Sequence, residues 1–347
     1  MNDPRPALRA MEDRYAARER LFLLHLDLTW RCPLACPHCY LPSRASDELD
    51  TGAWLDLMDQ ARRLEVAQVV LSGGEPMLRS DFATLLHAAR DRGFAVLVKT
   101  TGLDLEDRDA DRFARLGWVF VDLSLHSLDP AAHDAFVGLP GAWHRTVRAI
   151  DALSARGVHV RIARNLVAGM ADDGGALRAW ADDRGIRIVE TTTLLRRRDG
   201  TRPARDDLPE PQRVEAVARL LALRTSRRPR QPAPDAPPCQ AGRTRLYVSP
   251  SGEVAPCVAW PRALGRLPVD DLAGILVSDA LASVRAMRAG DRSGCRGCEL
   301  RAVCDFCPGQ AEIETGRPDA PYDAACTRAR VLAEALRRVE DREGGVP

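Results

Sequence analysis

Four times between Arg92 and Gly185 a helical pattern ends in glycine and runs straight into an apolar stretch. The pairs are Arg92-Gly93, Leu116-Gly117, Arg156-Gly157 and Arg184-Gly185. The stretches are Phe94–Val98, Trp118–Leu125, Val158–Ile162 and Ile186–Val189. Glycine just past a helix takes the left-handed conformation without strain. Short apolar runs bounded this way read as strands buried on both faces. Leu21–Leu28 and Val66–Leu71 bring the predicted strands to six. Strand–helix–strand units in series imply a parallel sheet with right-handed crossovers. The expected class is therefore α/β, a partial (βα)6 TIM-type barrel, with ligands at the carboxyl ends of its strands.

The helices carry their own signals. Asp50 or Thr51 is placed to cap a helix whose Trp54, Leu57, Met58, Ala61 and Leu64 share one face. Ser80 is the expected cap of Asp81–Arg92, and Trp143–Arg156 forms another helix. Residues 1–20 read as an N-terminal arm, either a short polar helix or unstructured. Residues 21–198 form the barrel core. Residues 199–238 form a linker, with a bridging helix over Pro211–Ser226 and a stretch with five prolines from Arg227 to Pro238. Residues 239–347 form a small cysteine-rich domain ending in a helix.

Ten cysteines are grouped rather than scattered. Cys32, Cys36 and Cys39 follow the first strand, spaced x3 then x2. The other seven, Cys239, Cys257, Cys295, Cys298, Cys304, Cys307 and Cys326, all lie after Pro238. Clustered thiols without a signal peptide point to metal binding in a reducing compartment, hence a soluble cytoplasmic protein. Thiolates suit iron–sulfur clusters, zinc or cuprous copper. Three ligands are one short of a closed site, and an open position marks reactivity. No run approaches a membrane span of about 20 apolar residues. The net charge is +1, with no basic face to hold nucleic acid. Lys99 is the only lysine; arginine supplies the other basic positions.

A second loop, Ser72-Gly73-Gly74-Glu75-Pro76, follows the second predicted strand. Its glycines admit a ligand close to the backbone. Ser124 ends the fourth.

CxxxCxxC after a first strand, followed one unit later by GGEP, resembles the radical S-adenosylmethionine (SAM) enzymes. The resemblance implies that Cys32, Cys36 and Cys39 hold a [4Fe-4S] cluster whose fourth iron is chelated by SAM. It implies that Gly73, Gly74, Glu75 and Pro76 form a SAM-binding turn in which Glu75 meets the amino group. His38 fills the place of an aromatic residue that touches adenine, and Ser124 contacts the ribose or carboxylate. Two departures stand out. His126 replaces a common aspartate, and Val137 replaces an arginine for the SAM carboxylate, leaving Arg164 as a candidate.

The tail resembles the SPASM domain of peptide-modifying radical SAM enzymes, with x2 in place of x3 before Cys307. That likeness implies two auxiliary Fe–S clusters, one on Cys239, Cys257 and Cys307, the other on Cys295, Cys298, Cys304 and Cys326. Paired zinc sites are the alternative reading of the same spacing. The hairpin expected here joins Leu246–Val248 to Glu253–Ala255.

The function implied is reductive cleavage of SAM to a 5′-deoxyadenosyl radical that modifies a peptide or protein side chain, as in ribosomal peptide maturation. The alternatives are a small-molecule or tetrapyrrole substrate, or an Fe–S electron-transfer or metal-binding module without SAM cleavage. Val258-Ala259-Trp260 after Cys257 disfavours sulfatase maturation. Expected partners are the peptide, a separate leader-binding protein, and an electron donor such as flavodoxin or ferredoxin. His25 reads as a hydrogen-bonded core residue rather than a ligand, and Trp54, Trp143 and Trp180 as packing residues.

Overall fold

In the computed structural model the described residues are 5–42, 47–167, 170, 175–191, 194–203, 210–223 and 233–344. Helix α1 (Arg5–Ala16) precedes β1 (Leu23–Thr29). Then α2 (Thr51–Arg63), β2 (Gln68–Gly73), α3 (Phe82–Asp91), β3 (Ala95–Thr100), α4 (Asp107–Leu116) and β4 (Val119–Ser124) alternate. Helices α5 (Pro130–Val137) and α6 (Ala142–Ala155) lead to β5 (His159–Asn165), α7 (Ala176–Asp182) and β6 (Arg187–Thr191). After α8 (Glu210–Leu223) come β7 (Arg245–Val248), β8 (Glu253–Ala255) and β9 (Gly265–Arg266). The chain ends with α9 (Leu272–Leu276), α10 (Asp279–Ala286), α11 (Pro308–Thr315) and α12 (Asp323–Gly344). The end of the bridging helix at 224–226 and the first half of the proline-rich stretch, 227–232, lie outside the described residues.

The six expected strands form a parallel sheet in sequence order, and it does not stop there. The strand order is β6-β5-β4-β3-β2-β1-β7-β8-β9. Strand β7 pairs parallel with β1, His25 opposite Tyr247, and β8 and β9 follow antiparallel. The cysteine-rich region thus adds three strands to the barrel edge.

Each strand alternates its faces. Leu24, Leu26, Val69, Leu71, Val96, Val98, Val121 and Ile162 are buried against Trp54, Leu57, Leu85, Phe113, Ile150 and Leu153 of the helices. The residues between them line the concave face. At its amino end, Leu8 of α1 packs with Phe22, Ala95 and Phe120. Glu12 of the same helix holds Arg245 at 2.6 and 2.7 Å. The N-terminal arm is therefore a helix, and it stoppers the barrel.

All six strands begin one or two residues later than expected; β4 begins one residue later because Trp118 lies outside it. The hydrogen bonds explain most of this. Phe94 N–H reaches back to Ala89 O (3.2 Å), Val158 to Leu153 O (3.1 Å), Ile186 to Ala181 O (2.8 Å) and Val66 to Ala61 O (3.0 Å). The first apolar residue after each turn closes the preceding helix by the 6→1 bond of a Schellman motif. Gly93, Gly157 and Gly185 have φ of +87°, +73° and +65°, as expected. Glu65 takes the same role after α2 with φ +57°. Trp118, with φ +51°, is 54% exposed.

Asp50 caps α2, its Oδ1 accepting from Ala53 N–H at 2.8 Å. Ser80 does not cap α3: Asp81 is the N-cap residue and makes no side-chain cap bond. Its carboxylate is held instead by Arg79 (2.8 and 2.7 Å) and Thr51 (2.6 Å).

Candidate active site

The loop after β1 carries Cys32, Cys36 and Cys39. Cys39 N–H donates to Cys36 O at 3.2 Å, which tightens the x2 turn. Ala35 N–H donates to Val137 O at 2.8 Å, tying the loop to the end of α5. Behind it Leu34, Leu103, Phe136, Val137, Ala142 and Val167 form an apolar cluster onto which Cys32 and Cys36 pack. Val137 is fully buried there, so the position expected to carry a cation carries a wall.

The glycine turn is sewn to the same loop. Gly74 N–H donates to Thr29 O and Glu75 N–H to Arg31 O, both at 2.8 Å. A Cβ on Gly73 (φ +126°) would lie 2.0 Å from Thr29 O. On Gly74 it would lie 2.3 Å from Arg31 O and 2.6 Å from Trp30 O. These glycines are needed because the backbone leading to Cys32 runs directly over them.

Glu75 turns inward and is fully buried. Its carboxylate accepts from Thr100 Oγ1 (2.8 and 2.9 Å), Thr101 N–H (2.7 Å), Thr101 Oγ1 (2.6 Å) and Met77 N–H (3.1 Å). Burial raises its pKa, and these donors only partly offset that. The side chain ties the ends of β2 and β3 together. Pro76, also buried, opens the turn Pro76–Leu78. Ser124 closes β4 on the same rim, opposite Ala163.

Sequence reading missed an aromatic nest beside the cysteine loop. The His38 ring stacks on Phe136 (centroids 5.3 Å apart, 16°) and meets His126 edge-on at 5.2 Å. His126 N–H donates to His133 Nδ1 at 3.2 Å. His126 is 1% exposed. Both its ring nitrogens, and His38 Nδ1, lack a hydrogen-bond partner among the described residues. Buried polar atoms normally find partners, and these three ring nitrogens are exceptions among the described residues. Only folding brings His38 and His126 together, so no sequence pattern announces it. Arg164, the candidate for the SAM carboxylate, pairs with Glu190 at 3.2 Å, which also binds Arg178.

The tail thiols fall into two electrostatic groups. Burial and the neighbouring Cys307 and Cys239 push the Cys257 thiol up to about 12. Burial likewise raises Cys239, with Cys307 adding to it. Cys295 is raised by burial and then by Cys298 and Cys326; Cys304 by burial and then by Asp305, Cys295 and Cys326. Thiols that raise one another this way need a cationic centre to ionise together. All ten cysteines are free thiols. Free thiols grouped in this way are the soft donors that iron–sulfur clusters take.

The Radical SAM superfamily profile matches residues 27–172 and the SPASM iron–sulfur cluster-binding domain matches residues 239–299. A "PqqA peptide cyclase" of Streptomyces rochei is 33% identical over 346 residues, covering 93% of this chain and 94% of the relative. The chain belongs to the radical SAM superfamily. Another PqqA peptide cyclase, from Xanthomonas campestris, is 30% identical over 353 residues, covering 93% of this chain and 90% of that one. In fold, the radical SAM chain is similar to Streptococcus suis SuiB bound to its precursor peptide SuiA (TM-score 0.70, 17% identity, 94% of this chain and 82% of that one). It is similar also to anSMEcpe with bound AdoMet (TM-score 0.67, 14% identity, 94% and 100%). As a radical SAM enzyme with a SPASM region, it uses a [4Fe-4S] cluster, SAM and auxiliary Fe–S centres. Among the described residues no helix is long and apolar enough to cross a membrane.

Proposed function

We propose that this radical SAM enzyme modifies a side chain of a ribosomally made peptide. Relatives named as peptide cyclases, matched over nine-tenths of their length, support that substrate class. The observation carrying the site assignment is the pair of backbone bonds from Gly74 and Glu75 to Thr29 and Arg31. They bring the glycine turn and the three-cysteine loop to one rim.

Cys32, Cys36 and Cys39 are the ligands of the SAM-site cluster. Gly73, Gly74 and Pro76 shape the shelf where SAM lies, with Ser124 and His38 at its sides. Glu75 serves that shelf by bracing it from below, since its carboxylate is fully engaged inward. When bound and reduced, the cluster and SAM supply a carbon-centred radical able to abstract hydrogen from unactivated carbon. The chain's part is to orient the substrate carbon and exclude water, and the apolar wall behind the cysteine loop serves the second need. Cys239, Cys257 and Cys307 bind one auxiliary centre; Cys295, Cys298, Cys304 and Cys326 bind the other. Residues 21–198 serve as the catalytic barrel, 199–238 as its linker and 239–347 as the SPASM region. The enzyme works in the cytoplasm, taking electrons from a flavodoxin or ferredoxin and its peptide from a leader-binding protein.

The test is anaerobic reconstitution followed by reduction in the presence of SAM. The expected product is 5′-deoxyadenosine, lost when Cys32, Cys36 and Cys39 are changed to alanine. A fully iron-loaded protein that yields none is instead an Fe–S module without SAM chemistry.

A further inference from the structure

The chain writes its basic positions as arginine with a single exception, Lys99. That residue is the penultimate position of β3, on the concave face of the barrel. It is register partner to Asp122 on β4, which is in turn partner to Arg161 on β5. Lys99 Nζ donates to Asp122 Oδ2 at 3.0 Å and Arg161 Nε to Oδ1 at 2.7 Å; Arg161 Nη2 also reaches Oδ2. Asp122 is nearly buried, 4% exposed, while Lys99 and Arg161 keep 39% and 26% of their side chains open.

Two cations share one carboxylate, so one positive charge is left over. An ammonium has three donors and a guanidinium five. Lys99 uses one on Asp122 and Arg161 two, with no other described acceptor for either. Other carboxylates on this face are already engaged: Asp27 by Tyr247 OH (2.7 Å), His25 Nε2 (3.2 Å) and Trp30 Nε1 (3.4 Å), and Glu253 by Arg198 Nη2 (2.9 Å). Leu8 packs against Phe22, Ala95 and Phe120 at the amino end of the barrel, and the unused donors of Lys99 and Arg161 belong to side chains that stay partly open. Burial alone would raise the Asp122 carboxyl, but Lys99 and Arg161 hold it below its usual range, so it stays an anion and keeps both cations in place.

We propose that Lys99 and Arg161, bridged by Asp122, form a carboxylate-binding site inside the barrel. The carboxylate comes either from the methionyl end of SAM or from an acidic side chain of the substrate. The inference rests on the function proposed above, but its test does not depend on turnover.

Because Lys99 is the only lysine, growth on [ε-13C]lysine labels this residue alone and keeps its charge and all three N–H donors. The Lys99→Arg variant identifies the Lys99 signal by losing it. The experiment uses cluster-loaded protein and four probes: SAM, decarboxylated SAM, N-acetylglutamate amide and its glutamine counterpart. If SAM supplies the carboxylate, the Lys99 signal moves with SAM and not with its decarboxylated form. If substrate supplies it, the signal of the SAM-loaded protein moves with the glutamate probe and not with glutamine. In equilibrium dialysis Lys99→Met weakens the carboxylate ligand about tenfold and spares its twin, as expected for one charge-assisted hydrogen bond. A signal that ignores all four probes, or moves equally with both members of each pair, overturns the site. The labelled wild-type protein distinguishes these outcomes even if Lys99→Met fails to fold. Movement without any 5′-deoxyadenosine formation would sink the proposed function and leave the site standing; the reverse result would sink the site alone.

Discussion

Gly74 has room for a hydrogen and nothing larger, because the carbonyls of Trp30 and Arg31 lie against it. The Gly74→Ala variant must push those carbonyls, and with them the approach to Cys32. The expected result is a loss of about four irons per chain on reconstitution, the content of one cubane, with helix content unchanged. Iron analysis beside far-UV circular dichroism checks this; full iron loading would show that the loop accommodates the methyl group. His133 offers a different test. Burial lowers its pKa to about 4. The unfolded chain therefore takes up a proton near pH 6.5 that the folded chain refuses until about pH 4. Stability is complete above about pH 6.5 and falls as pH drops through that window. The change in unfolding free energy between about pH 7 and about pH 5 should shrink by about 2 kcal/mol in His133→Gln. Urea titrations at the two pH values measure it, and an unchanged difference would contradict the buried neutral ring.

The six parallel strands were legible because each is an apolar run, and four of them follow a glycine that ends a helical pattern. Their first residues were not, because the amide after most of these turns serves the helix behind it and periodicity cannot see a 6→1 bond. Helix α5 escaped notice because it is eight residues long and begins and ends in loops. The pairing of β7 with β1 was out of reach, since it joins residues more than two hundred positions apart. The motif cysteines were plain, whereas the inward turn of Glu75 depends on two threonines at the end of another strand. The β7 pairing makes its own prediction. Leu246, Val248, Val254 and Trp260 belong to the barrel's main core. A chain ending at residue 238 bares that surface and the edge of β1, which invites edge pairing between molecules. It should aggregate, as light scattering would report; a well-behaved monomer would mean the barrel closes without the tail.

The chain places three of its ten thiols in the loop after β1 and seven in the tail, all of them free. Three cubanes correspond to about twelve irons per chain with matching sulfide. Changing Cys32, Cys36 and Cys39 to alanine should remove about four and leave the rest. Iron and sulfide analysis of the anaerobic protein decides it, and about four irons accompanied by zinc would overturn the assignment of the tail.

Because β7 hydrogen-bonds to β1, the C-terminal part of this enzyme is not a cap that can be lifted off and exchanged at will. A hybrid built by grafting a foreign terminus must import a strand whose register suits Leu23 to Leu26, as well as the right sulfurs. Without it, the recipient is left with an unzipped flank.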